Sequence, residues 1–128
     1  SQLPEKSRKM VSFHDERGVL KFSVKEDDVY FLEAADNYVT IYYHDKNKLS
    51  YFLLRSTLKK LEDSLTGTAF FRCHRSYMVN ADKVKLIKKE KDGLFIQLGP
   101  DSDKNIPLSK TYADPFLKEF AGLNVDFG

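Results

Sequence analysis

The stretch Phe70–Asn80, FFRCHRSYMVN, concentrates side chains with chemistry to offer. Arg72, Cys73, His74, Arg75 and Ser76 follow one another, framed by Phe71 and Tyr77. Three kinds of site use such residues: a cysteine nucleophile with a histidine base, a metal centre, or a surface that grips an anion. The spacing argues against the first. Neighbours on an extended strand point to opposite faces, so Cys73 and His74 do not meet. A cysteine among Phe71, Tyr77 and Met78 reads as a small buried hydrophobe. The metal reading lacks ligands, because His14, His44 and His74 are widely spaced and form no i, i+4 pair. Gly93 and Gly99 stand alone and build neither a phosphate loop nor a dinucleotide turn. No cofactor, no metal and no enzymatic activity are expected. The anion reading survives. Arg72, Arg75 and Lys110 supply donors, and His74-Arg75-Ser76 offers an imidazole, a guanidinium fork and a hydroxyl together. A plainer reading stands beside it, in which Arg72 and Arg75 pair with local acids such as Glu33 or Asp82.

The whole chain sets bounds on these readings. Its 128 residues suffice for one domain with a sizeable core. A hydrophobic content of 41% against 31% charged residues is the balance of a globular protein, neither disordered nor fibrous. The formal net charge of +2 does not by itself announce a nucleic-acid partner. Lys83, Lys85, Lys88, Lys89 and Lys91 cluster, while acids gather at Glu26–Asp28 and Asp101–Asp103. The lysines form either a basic face or a solvated strand face. Cys73 is the only cysteine, which excludes an internal disulfide and a multi-thiolate zinc site and fits a reducing compartment. No apolar run approaches the ~20 residues that span a bilayer. No charged segment followed by an apolar stretch opens the chain, so a cytoplasmic location without membrane contact is expected. The start at Ser1 reads as that of a piece cut from a longer protein.

The elements that must position these side chains are mainly strands. Residues 1–9 are polar and aperiodic and read as a linker or tail. MVSFH and VLKFSV flank DERG, VYFLEAA and YVTIYYH flank Asp36-Asn37, and DKNK leads into LSYFLL. Each is a hairpin signal, since Asp, Asn and Gly accept the left-handed backbone of tight turns. The period then changes. Leu58, Leu61 and Leu65 form one helical stripe, with Ser56 as N-cap and Gly67 as stop. DKVKLIKKE and LFIQL make another hairpin around KDG, and IPL a short strand after GPDSDKN. Ser109 onward reads as helical, with a restart at Asp114 and Pro115 that turns Phe116, Leu117 and Phe120 inward. The fold class is mainly β: short antiparallel sheets built from successive hairpins, with one or two short α-helices, over residues 10–120, followed by a tail at 121–128.

FLEAADNYVTIYY, LLRSTLKKLEDSL, FFRCHRSYMVN and IPLSKTY, in this order and spacing, resemble the LytTR-type DNA-binding domain. The resemblance covers nearly the whole chain from Met10 to Phe120. It implies a domain that reads double-stranded DNA through loops entering the major groove, as the output part of a bacterial transcription regulator behind a receiver or sensor domain. It also implies two copies on paired DNA sites. Carried over by position, the base-contacting candidates are Asn37, Tyr38, Val39, His74, Arg75 and Lys110. The phosphate-contacting candidates are Arg72, Ser76, Ser109 and Lys59. Amide side chains suit adenine and guanidinium forks suit guanine. Lys110 stands where family members often carry arginine, so it gives up bidentate reading but keeps the charge. Structural readings remain open beside these: Asn37 as a turn former, His74 as the holder of a backbone carbonyl, Asn80 as a local backbone anchor, and Glu33 as the acid that orients an arginine. A rival from another class is a protein-interaction module that docks partners along exposed sheet edges.

Overall fold

The alternation and turn chemistry resolve into ten strands and two α-helices among residues 9–100 and 104–121, which a computed structural model describes. The strands are β1 (Met10–His14), β2 (Leu20–Lys25), β3 (Val29–Ala35), β4 (Tyr38–Asp45), β5 (Lys48–Arg55), β6 (Phe70–His74), β7 (Tyr77–Asn80), β8 (Val84–Glu90), β9 (Gly93–Leu98) and β10 (Asn105–Leu108). The helices are α1 (Leu58–Ser64) and α2 (Lys110–Ala121). Single 3-10 turns sit at Glu26–Asp28 and Ala81–Lys83. The expected linker at 1–9 and tail at 121–128 fall almost entirely outside the described residues, as do Asp101–Asp103.

Every strand pairing among the described residues is antiparallel, as short turns require of the hairpins, and β7 joins β3 in the same sense from far along the chain. The central sheet has the order β5-β4-β3-β7-β6. Val29, Tyr30, Phe31 and Leu32 of the middle strand are all buried, so β3 is covered on both faces. One face meets the β1–β2 hairpin and α1, where Phe13, Leu32, Ile41, Leu54, Leu58 and Leu61 pack together. The other meets the sheet β10-β9-β8 and α2, where Phe31, Val79, Ile96, Ile106 and Phe116 form a second core. That second layer leaves part of the outer strand β5 uncovered, with Tyr51 69% and Leu53 54% exposed.

The turns behave as their residues dictate. Lys46 and Asn47 both take positive φ, at 48° and 70°, which a two-residue hairpin turn matched to strand twist demands. In the β3–β4 turn the left-handed residue is Asp36, at 57°, and not Asn37. The cap of α1 is Thr57 rather than the expected Ser56. Thr57 Oγ1 accepts the Lys60 N–H at 3.2 Å, while Ser56 is buried behind β5. The expected restart at Pro115 does not occur either, and α2 runs through it without a break. The N–H that Pro115 lacks would have met the carbonyl of Thr111, an exposed residue whose oxygen water can satisfy. Burial of Ala113, Phe116 and Leu117 holds the helix together across that gap. The side chain of Phe120 is outside those described.

Candidate nucleic-acid interface

Hairpin connectivity collects the candidate residues at one end of the central sheet. The end of β3 lies beside the start of β7, and Ala34 N–H donates to Ser76 O at 2.8 Å. This bond ties the β3–β4 turn, which carries Asn37, to the β6–β7 turn, which carries Arg75. The two turns are two strand spacings apart in the sheet order, on the order of 10 Å. Next along, Ser109 N–H donates to Cys73 O at 2.9 Å, which sets the start of α2 beside the end of β6. Asn37, Arg75 and Lys110 therefore share one rim, and all three are exposed. Beyond them an open groove of about 500 Å³ runs between His74, Ser109 and Lys110 and the β8–β9 hairpin tip with Lys89 and Lys91.

The β6–β7 turn is braced from inside. The register slips between Arg72 and His74, a bulge that breaks the strict alternation of β6. His74 then sits opposite Tyr77, its ring 5.7 Å from the tyrosine ring. Its Nδ1 accepts the Ser76 N–H at 3.0 Å, so the imidazole holds a backbone donor, not the expected carbonyl. Burial, followed by the charges of Arg75 and Arg72, lowers the His74 pKa and keeps that nitrogen free to accept. Arg72 donates from Nε to His74 O at 3.0 Å and from Nη2 to Arg75 O at 2.7 Å. Its Nη1 meets Glu62 Oε1 of α1 at 2.9 Å, and the guanidinium lies 5.4 Å from the Tyr112 ring centre. With its side chain 12% exposed, Arg72 positions the turn from behind instead of facing a phosphate. Arg75 is exposed and makes no ion pair among the described residues.

Other expectations change with the geometry. Val39 is fully buried, because the residue after the exposed Tyr38 must point inward, so its side chain leaves the set of base-contacting candidates. Among the described residues Glu33 orients no arginine: it accepts from Tyr77 Oη at 2.8 Å and meets Lys104 Nζ at 3.4 Å. Neither Glu33 nor Asp82 pairs with Arg72 or Arg75 in any of these contacts. Burial, and then the bond to Glu33, pushes the Tyr77 hydroxyl up to about 12. Cys73 is fully buried, its Sγ 3.7 Å from Tyr77 O, and burial pushes its thiol up to about 12. A thiol so firmly protonated is no nucleophile. Asn80 is an anchor of wider reach than expected. Its Nδ2 donates to the carbonyls of Glu26 and Val29 at 3.1 and 2.9 Å, and its Oδ1 accepts from Asp82 N–H at 3.0 Å. Ser76 is half-buried, Ser109 starts the rim side of α2, and Lys59 is exposed in the first turn of α1. Ser109 O accepts from the N–H groups of Tyr112 and Ala113, so the amides of Lys110 and Thr111 fall in the first turn, where the helix supplies no acceptor.

The clustered lysines are partly neutralised in place: Lys83 meets Asp27 at 3.6 Å and Lys88 meets Glu90 at 3.2 Å. No group of His, Cys, Asp or Glu that could hold a metal ion occurs among the described residues. No described helix is long and apolar enough to cross a membrane. The residues that sequence reasoning missed are Glu62 and Tyr112, which brace Arg72, and Arg55, which joins the rim opposite Tyr38.

Known proteins resemble this chain in sequence and in fold. The chain is 35% identical over 71 residues to the sensory transduction protein LytT of Oceanobacillus iheyensis, covering 55% of this chain and 29% of that protein. It is 26% identical over 90 residues to the transcriptional regulatory protein YpdB of Escherichia coli K12, covering 70% and 35% respectively. The chain thus spans about a third of the length of these relatives. A LytTr DNA-binding domain from Bacillus cereus, of a chain described as a methyl-accepting/DNA response regulator, has the same fold. It superposes with a TM-score of 0.62 at 22% identity, covering 91% of this chain and 99% of that one. Residues 21–121 match the family model of the LytTr DNA-binding domain, and the chain belongs to that family.

Proposed function

We propose that this domain binds double-stranded DNA sequence-specifically by inserting the turns of its rim into the major groove, as the output part of a longer transcription regulator. The observation that carries the reading is the pair of backbone bonds, Ala34 to Ser76 and Cys73 to Ser109, that line up three exposed polar tips. Asn37 suits the N6 and N7 edge of adenine, and Arg75 suits O6 and N7 of guanine. Lys110 and the N-terminal amides of α2 suit a phosphate. Arg72 and His74 serve by holding the β6–β7 turn in one shape, so that little ordering is left for the moment of binding. The longer relatives, named for sensory transduction and transcriptional regulation, support a signalling context of the two-component kind.

The test is a selection from random duplexes followed by titration of the selected site and a scrambled one. Arg75→Ala should weaken binding to the selected site by about 10- to 100-fold, the equivalent of one lost base pairing. Binding to the scrambled duplex should fall only by the share of one cation. Equal losses on both would remove the base-reading role. The exposed edge of β5 favours a second reading, strand addition by a protein partner. Failure to bind any duplex at low salt would move the weight to it.

A further inference from the structure

The rim does not stop at the three tips. Its β5 end is built by residues far apart in sequence, and this end carries a charge arrangement that the reading above leaves unused. Arg55 is the register partner of Tyr38, so it lies at the same strand end as the β3–β4 turn, roughly 7 Å from the turn's centre line. The β1–β2 turn docks on it. Glu16 N–H donates to Arg55 O at 2.9 Å, and Asp15 fastens the turn by accepting the N–H groups of Arg17 and Val19 at 2.9 and 3.0 Å. The Arg55 guanidinium is held on two sides: Nε donates to Glu16 Oε1 at 2.7 Å, and the group lies 5.6 Å from the Tyr38 ring centre. An open groove lined by Glu16, Arg17, Lys21, Tyr38 and Arg55 runs along this end.

We infer that Arg55 is a DNA phosphate contact at this end of the rim, and that Glu16 both aims its guanidinium and competes with the phosphate for it. The inference rests on the DNA-binding reading and extends it to a contact that sets affinity without reading sequence. The side chains of Arg55 and Glu16 are 52% and 41% exposed, so the pair sits in water and its net contribution to the fold is small. Exchanging that carboxylate for a phosphate oxygen costs little. The planar fork accepts either partner, and the tyrosine face keeps it in plane while the exchange occurs. Arg17 adds positive charge to the groove, Lys21 faces Asp15 there at 4.0 Å, and the carboxylate of Glu16 is the acid placed directly against the cation that would meet DNA.

The experiment measures the 128-residue chain against a selected and a scrambled duplex across a salt series. Arg55→Ala should weaken both by the same factor, about 3- to 10-fold at low salt, and make the log–log salt slope shallower by about 0.9. Arg55→Lys should keep the slope and recover part of the affinity. Glu16→Gln should tighten both duplexes several-fold, and this gain should shrink when residue 55 is alanine. Unchanged slope and affinity in Arg55→Ala, with the unaltered chain binding well, would overturn the inference and leave the DNA-binding reading intact. An affinity loss that comes with a lower unfolding midpoint, an unchanged slope and no recovery with lysine would assign Arg55 a purely structural role, and also overturn it. No binding by the unaltered chain would bring down the DNA-binding reading itself.

Discussion

His74 does two jobs that depend on its being uncharged. It accepts the Ser76 amide, and it sits beside Arg72 and Arg75 without adding to their charge. Its pKa in the folded chain lies below the ordinary 6.5, chiefly through burial. The unfolded chain therefore takes up the proton first as pH falls, and protonation favours unfolding. The stability held by neutral His74 is fully present above about pH 6.5 and is lost as pH drops through the lower folded-state value. Unfolding midpoints measured from neutral to mildly acidic pH should fall more steeply in the unaltered chain than in His74→Gln; parallel profiles would contradict this. Cys73 makes a second prediction at the same scale. With its thiol near 12, the folded protein holds roughly a thousandfold less thiolate at neutral pH than an ordinary cysteine. Iodoacetamide should label it slowly until urea unfolds the chain, and fast labelling of the native protein would show the site to be open. That Cys73 was core and not nucleophile could be read from its apolar neighbours. That His74 accepts rather than donates could not, because the bulge that turns it toward Tyr77 is a property of the β6–β7 pairing.

Among the elements, short-range chemistry was legible and long-range bracing was not. The Leu58, Leu61 and Leu65 stripe packs as its period requires, and the Asp36-Asn37 and Lys46-Asn47 turns fall where the residues ask for them. The cap of α1 differed by one residue, because β5 extends far enough to draw Ser56 inward and leave Thr57 at the helix start. Thr57→Ala should cost about 1 kcal/mol, seen as a lower urea midpoint. Asn80 is the larger lever. It joins the end of β7 to Glu26 of the preceding 3-10 turn and to Val29 at the start of β3 through two buried hydrogen bonds, and it accepts a third, part-buried one from the Asp82 N–H. Asn80→Ala takes the side-chain donor from two buried carbonyls and the acceptor from one amide, and should cost about 3 kcal/mol in the same measurement. A loss below that of Thr57→Ala would mean that water fills the gap. The Arg72–Glu62 pair escaped notice because it joins a strand to a helix. Arg55 and Glu16 escaped because 39 residues separate them.

For the molecule as a whole, the weak net charge of +2 is misleading, since the charges that matter are gathered at one sheet end and flanked by acids that moderate them. If about five phosphates are neutralised, the logarithm of the binding constant should fall against the logarithm of salt with a slope of roughly −4 to −5. A slope near zero would point to a partner other than nucleic acid. The mainly β architecture was visible in the hairpin signals, whereas the two-sided burial of β3 and the sandwiching of the central sheet emerge only once the strands are ordered. The backbone bond from Ala34 to Ser76 has one more consequence. It links the two turns through main-chain atoms that every residue type except proline possesses, so the distance between tips is inherited from strand pitch and owes nothing to what the tips carry. On the base-reading role proposed for Asn37 and Arg75, their exchange for other polar residues should rewrite the preferred DNA word while leaving its letter spacing untouched, and would make new specificities reachable by single steps that never pass through a misfolded ancestor.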